Sequence, residues 1–178
     1  MPKKLILIII IIVIIIGGVF LGLKALKAKL IKTSTQTLGV SVKSTDVNKE
    51  FEFPVKDSES DTIKIKYIIE KAEISPEIVV KGQKATAVNG RTFLIVDLKI
   101  TNNFDKAISI NTKDYIRLQV DGNDKELLAP DIHNDPVEVQ AISTKYTRVG
   151  FPINTSDHDF ILHIGEIQGD KKKINLNL

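Results

Sequence analysis

The sequence contains no cysteine. That absence excludes a disulfide framework, a thiolate zinc site and a cysteine nucleophile. It also excludes a lipid anchor attached at a cysteine behind a signal sequence. The folded part therefore has to be held by its apolar core. About 130 residues are enough for that, since smaller domains fold unaided.

Other absences narrow the chemistry further. No serine sits in a G-x-S-x-G elbow, so a hydrolase of that type has no nucleophile. No glycine-rich phosphate loop is present, because Gly17, Gly18 and Gly22 all fall inside an apolar run. No spacing matches an EF-hand loop or a zinc-protease helix. No internal repeat is found, and after residue 33 no run of ten or more residues holds a 3.6-residue period. Neither catalytic nor cofactor-binding nor metal-ligating residues are assigned, and the chain is not expected to be an enzyme.

Acid is missing from one end. Residues 1–32 carry six lysines (Lys3, Lys4, Lys24, Lys27, Lys29 and Lys32) and no aspartate or glutamate. The rest holds 19 basic and 22 acidic side chains, a net charge of −3. The basic character thus belongs to the flanks of the apolar run and not to the folded part. Nucleic-acid binding needs a basic face on the domain, so no nucleic-acid partner is expected. Lysines beside a membrane helix instead meet anionic lipid head groups.

What is there begins with Leu5–Leu23, LILIIIIIVIIIGGVFLGL, which has no charged residue. A helix of that length spans roughly 28 Å, close to the hydrocarbon thickness of a bilayer. Isoleucine covers every face, which argues against a buried core helix. A cleaved signal peptide is the rival reading. The run exceeds a usual h-region, however, and LKALKAKLIK follows it without an A-x-A site. The expected organisation is an N-tail (1–4), a transmembrane helix with a basic extension (5–32), a Ser/Thr-rich tether (33–50) and a β-sandwich domain (51–178). The bilayer is the expected partner of residues 5–23. The positive-inside count alone would leave the domain in the cytoplasm as a membrane-tethered adaptor. The short N-tail favours the outside.

From Phe51 the hydrophobic period is two. Phe51, Phe53 and Val55 alternate with polar residues, as do Ile63, Ile65, Tyr67 and Ile69. A phase slip after Glu70, to Ala72 and Ile74, predicts a bulge. Leu94, Val96, Leu98 and Ile100 share one strand face; the opposite face begins with Phe93 and Ile95 and turns polar at Asp97 and Lys99. Further stripes are Ile116–Val120, Val149–Ile153, Phe160–Ile164 and Ile174–Leu178. Asn89-Gly90, Asn102-Asn103, Asp121-Gly122 and Gly169-Asp170 supply turns. Asp121-Gly122 predicts a hairpin joining 115–120 to 125–128. Several short strands at this spacing predict an all-β, antiparallel sandwich.

The stretch Gly90–Asn103, GRTFLIVDLKITNN, is the most specific one in the chain. With Ala107–Ile110, Asp114–Val120, Asp121-Gly122 and Val149–Ile153, it resembles the DUF4352 family of bacterial and archaeal extracytoplasmic domains. The resemblance covers residues 60–178 and implies an immunoglobulin-like sandwich working outside the cytoplasm, at the cell envelope, with a protein partner there. Members are typically lipoproteins or anchored surface proteins; here a hydrophobic helix replaces the lipid. The family has no common activity, so no site residue is carried over.

Two loops could hold a metal through carboxylate and imidazole: Asp131, His133 and Asp135, and Asp157, His158 and Asp159. That alternative, a Ca²⁺- or Zn²⁺-dependent binder or hydrolase, requires the two loops to meet at one end of the sandwich. The plainer reading makes these residues turn caps. His163 alternates outward from Leu162 and Ile164 and is expected on an exposed face. Tyr115 and Tyr146 fall off the main stripes, whereas the other aromatics read as core. A type IV pilin-like subunit is disfavoured, because no peptidase site precedes the apolar run and no acid lies within it.

Overall fold

The protein is described by a computed structural model that covers residues 43–56 and 62–178. The expected N-tail and transmembrane helix, and residues 33–42 of the tether, lie outside the described residues. Among the described residues no helix is long and apolar enough to cross a membrane.

The described chain is all-β. Its strands are β1 (Lys43–Lys56), β2 (Thr62–Ser75), β3 (Glu77–Val80), β4 (Gln83–Thr86), β5 (Arg91–Asn102) and β6 (Ile108–Ile110). A 3-10 turn, Thr112–Tyr115, leads into β7 (Ile116–Gln119), followed by β8 (Ile132–His133), β9 (Val137–Val139), β10 (Ser143–Asn154), β11 (Ile161–Ile164) and β12 (Lys172–Asn175). All pairings are antiparallel.

One layer is a five-stranded sheet of order β1-β2-β5-β10-β8; facing it are the sheet β12-β11-β7 and the pair β6-β9. The core between them takes the inward stripe of every long strand. Leu94, Val96, Leu98 and Ile100 of β5 meet Tyr67 and Ile69 of β2, Val149, Phe151 and Ile153 of β10, and Ile116, Leu118, Leu162 and Ile164 of the opposite layer. Period-two alternation follows from one pleat face of each strand turning into this core.

The outer face of the large sheet carries a second, smaller cluster. Phe93 and Ile95 are covered by Ile78 of the β3-β4 hairpin, with Val80, Ala87 and Ile132 packed around them. The hairpin lies so close that a Cβ at Gly150 would come within 2.7 Å of the Ile78 Cδ1 atom. It turns at Lys81 and Gly82, with φ of 51° and 75°, which suits a tight two-residue turn.

Three sequence expectations are corrected. Strand β1 starts at Lys43, not at residue 51, so the last part of the expected tether belongs to the sheet. A bulge between Asp46 and Lys49 hides this strand's alternation, with Asn48 at φ 49°; Val47 nonetheless packs against the core. The expected hairpin partner at 125–128 is reduced to a single bridge, Leu118 to Leu128. Tyr115 is not free: it is half-buried and stacks on Phe53 with ring centroids 4.4 Å apart. The bulge expected after Glu70 is present, between Ile69 and Lys71.

Ile142 has φ 49° and is 74% exposed. A β-branched side chain in left-handed backbone is strained by roughly 1–2 kcal/mol. Because the side chain buries little, Ile142→Gly is expected to raise stability by about 1 kcal/mol in urea denaturation, net of glycine's added unfolded-state entropy.

Candidate functional site

Asp135 is buried, and its carboxylate is satisfied by hydrogen bonds. Its Oδ1 accepts from the Thr112 backbone N–H at 2.8 Å and from the Thr112 hydroxyl at 2.6 Å, and its Oδ2 accepts from the Lys113 N–H at 2.9 Å. The residue before this 3-10 turn, Asn111, makes no side-chain cap bond. Asp135 therefore caps the turn from a distant loop, satisfying N–H groups that would otherwise be orphaned. The Tyr67 hydroxyl donates to the Thr112 carbonyl at 3.1 Å. Burial first, then the neighbouring Asp135 and Tyr115, pushes the pKa of that phenol well above its usual value.

His133 is spoken for as well. Its Nδ1 accepts from the Asp135 N–H at 3.2 Å. In the other loop, Asp157 accepts from the Asn154 backbone N–H and side-chain amide at 2.8 and 3.0 Å. The His158 N–H donates to Asp121 Oδ1 at 2.8 Å, and the His158 ring Nδ1 lies 2.9 Å from the same carboxylate oxygen. His158 Nε2 is 3.7 Å from Asp159 Oδ2.

The two loops do not converge. His133 pairs with Val149, while Asp157 follows Asn154, which pairs with Arg91 at the end of the sheet. Val149 and Asn154 are about 17 Å apart along β10. Beyond His133 the antiparallel strand runs away from that end. Among the described residues, no group of three His, Asp or Glu side chains is placed to hold a metal ion.

His163 is a correction. It is only 6% exposed, and its Nε2–H donates to Gln119 Oε1 at 2.8 Å. It stands on the central strand of its sheet, between Arg117 and Lys173, so neighbours on both sides cover the ring. Burial, then Lys173 and Lys171, lowers its pKa. A histidine whose folded pKa lies below the unfolded value stabilises least in acid. Stability is expected to fall as pH drops from above 6.5 through the folded pKa. Urea midpoints of the wild type and His163→Gln between pH 8 and 5 check this; the variant should lose less.

A cleft opens on the outer face of the large sheet, where the β3-β4 hairpin stops. Its volume is about 330 Å³, and it is lined by Glu70, Asp97, Asn134, Tyr146 and Arg148, with Leu98 and Thr147. The floor follows from strand register: Asp97 of β5 stands opposite Arg148 of β10, and Lys99 stands opposite Tyr146. Arg148 Nε lies 3.5 Å from Asp97 Oδ1, too far for a strong hydrogen bond. Burial raises the pKa of Asp97, while Arg148 opposes that shift. Asn134 forms one wall. Its side-chain amide donates to the Thr147 hydroxyl at 3.1 Å and its Oδ1 accepts from the Lys81 N–H at 3.0 Å, pinning the hairpin tip. Tyr146 is 64% exposed. The polar turn at Asp97 and the off-stripe Tyr146 were legible in the sequence; their meeting with Arg148 was not.

No family model matches the chain, and no curated protein does. Solved structures do. A conserved hypothetical protein from Bacillus anthracis aligns with a TM-score of 0.50 at 12% identity, over 75% of this chain and 96% of its own. An uncharacterised β-sandwich protein from Clostridium difficile 630 aligns with a TM-score of 0.50 at 17% identity, over 72% of this chain and 90% of its own. At these identities the likeness concerns the fold: the chain is similar to bacterial β-sandwich proteins.

Proposed function

We propose that the chain is a membrane-anchored, non-catalytic module that presents an immunoglobulin-like β-sandwich on the outer side of the membrane, for binding or structural interaction at the cell envelope. The observation that carries this reading is the uncharged run Leu5–Leu23, joined by a short polar segment to the sandwich. Such a run has few uses in water, and its length suits a bilayer. The resemblance of residues 60–178 to DUF4352-type domains supports the outer side. A β-sandwich scaffold that presents loops and a cleft is suited to binding.

Alkaline carbonate extraction tests the anchor. The full chain is expected to stay in the membrane pellet, and a variant lacking residues 1–32 to be released with a β-type circular dichroism spectrum. Release of the full chain would show that residues 5–23 do not anchor it. A dominant helical spectrum would contradict the fold.

A further inference from the structure

We propose that the cleft between the β3-β4 hairpin and Tyr146 binds a neutral saccharide, with Tyr146 as its stacking plane and the Asp97–Arg148 pair as its hydroxyl anchor. The inference deepens the binding-module reading and rests on it for where the ligand is met.

The cleft holds unused hydrogen-bonding capacity of both signs. The half-buried Asp97 carboxylate has Arg148 as its ion-pair partner, at 3.5 Å, although a carboxylate can accept about four hydrogen bonds. The Arg148 guanidinium carries five N–H donors, and its Nε lies 3.5 Å from Asp97. A hydroxyl group both donates and accepts. Two adjacent hydroxyls on a sugar ring can therefore donate to the carboxylate and accept from the guanidinium together, completing a pair that is loosely made alone.

Charge points the same way. The two floor charges cancel, Lys71 and Glu73 beside Asp97 pair with each other at 2.6 Å, and Glu70 adds one negative charge at the side. An anionic ligand would meet Glu70 and Asp97, and a cationic one Arg148 with Lys99 beside it. A neutral polyhydroxyl ligand meets neither penalty.

Tyr146 supplies the apolar half. It lies two residues from Arg148 on the same strand face, about 7 Å away, with most of its ring exposed. An aromatic face carries partial negative charge, and the C–H face of a pyranose ring carries partial positive charge. Stacking the two removes apolar area from water without burying the hydroxyls. The Asn134 wall is already satisfied by Thr147 and Lys81, so the cleft is shaped before any ligand arrives.

The test uses the full chain in micelles of lauryldimethylamine oxide, a detergent without a sugar head group. Saturation-transfer NMR is recorded with chitotriose, cellotriose and maltotriose as probes. At least one trisaccharide is expected to give a saturable signal. Tyr146→Ala and Arg148→Gln should each weaken it at least about tenfold, the loss of one good stacking or charged hydrogen-bond contact. Lys173→Ala, on the opposite sheet, should leave it unchanged. Melting curves of all variants guard against loss of fold, and Tyr146 is exposed enough for its truncation to be tolerated. Silence from all three sugars with a cooperatively folded chain overturns the proposal. So does binding that persists undiminished in Tyr146→Ala. Neither result bears on anchoring, which carbonate extraction reads separately.

Discussion

Val96→Asp is expected to abolish the cooperative melting transition, while Lys99→Asp leaves it within about 0.5 kcal/mol of wild type. Val96 is fully buried in the central strand β5, with Ala72 opposite on one side and Val149 on the other. Val96 packs within an apolar cluster that includes Ile69, Leu94, Leu98 and Phe151. Burying an unpaired carboxylate costs several kcal/mol, comparable to the whole 5–15 kcal/mol that holds an ordinary domain together. Lys99 stands on the opposite pleat face, half-exposed, opposite Ile68 and Tyr146. Its replacement leaves every residue of the inner stripe in place. Circular dichroism melts of the two variants check the pair; equal midpoints would mean that the strand phase is wrong.

Asp135→Ala is the second large effect. The substitution removes acceptors for three hydrogen bonds at once and leaves the N–H groups of Thr112 and Lys113 without partners at the start of the 3-10 turn. Hydrogen bonds to a charged group contribute about 1.5–3 kcal/mol each, and the three act as one unit, so the expected loss is roughly 3–5 kcal/mol. Asp135→Asn separates charge from shape. Its amide oxygen can still accept from Thr112, but its NH₂ would face the Lys113 N–H, so roughly half the loss is expected. Urea denaturation of both variants gives the comparison. A near-neutral Asp135→Ala would mean that another group caps the turn.

The parts of the fold that a single strand dictates were legible in the sequence. The inner stripe of β5, the bulge beyond Ile69, and the positive-φ positions at Gly90 and Gly122 each follow from local pattern or backbone chemistry. What stayed hidden depends on register between distant segments. Asp97 and Arg148 become neighbours only because β5 pairs with β10, and neither strand's pattern states that pairing. The β3-β4 hairpin is hard to read because Lys81-Gly82 stands where Asn-Gly or Asp-Gly would be the usual signal. His163 follows the alternation faithfully, yet the alternation cannot tell a covered outer face from an open one. Asp135 looked like a solvated loop acid, or a ligand, because the turn it caps is remote in sequence.

The proposed arrangement has residues 5–23 in the bilayer and the sandwich on the outer side of the membrane. Protease shaving of intact cells carrying a C-terminal tag after Leu178, with outer layers made permeable where present, tests it most directly. Loss of the tag without lysis is the predicted result. A tag fully protected in intact cells and lost only after lysis would contradict it, and would make the protein a cytoplasmic adaptor tethered to the membrane.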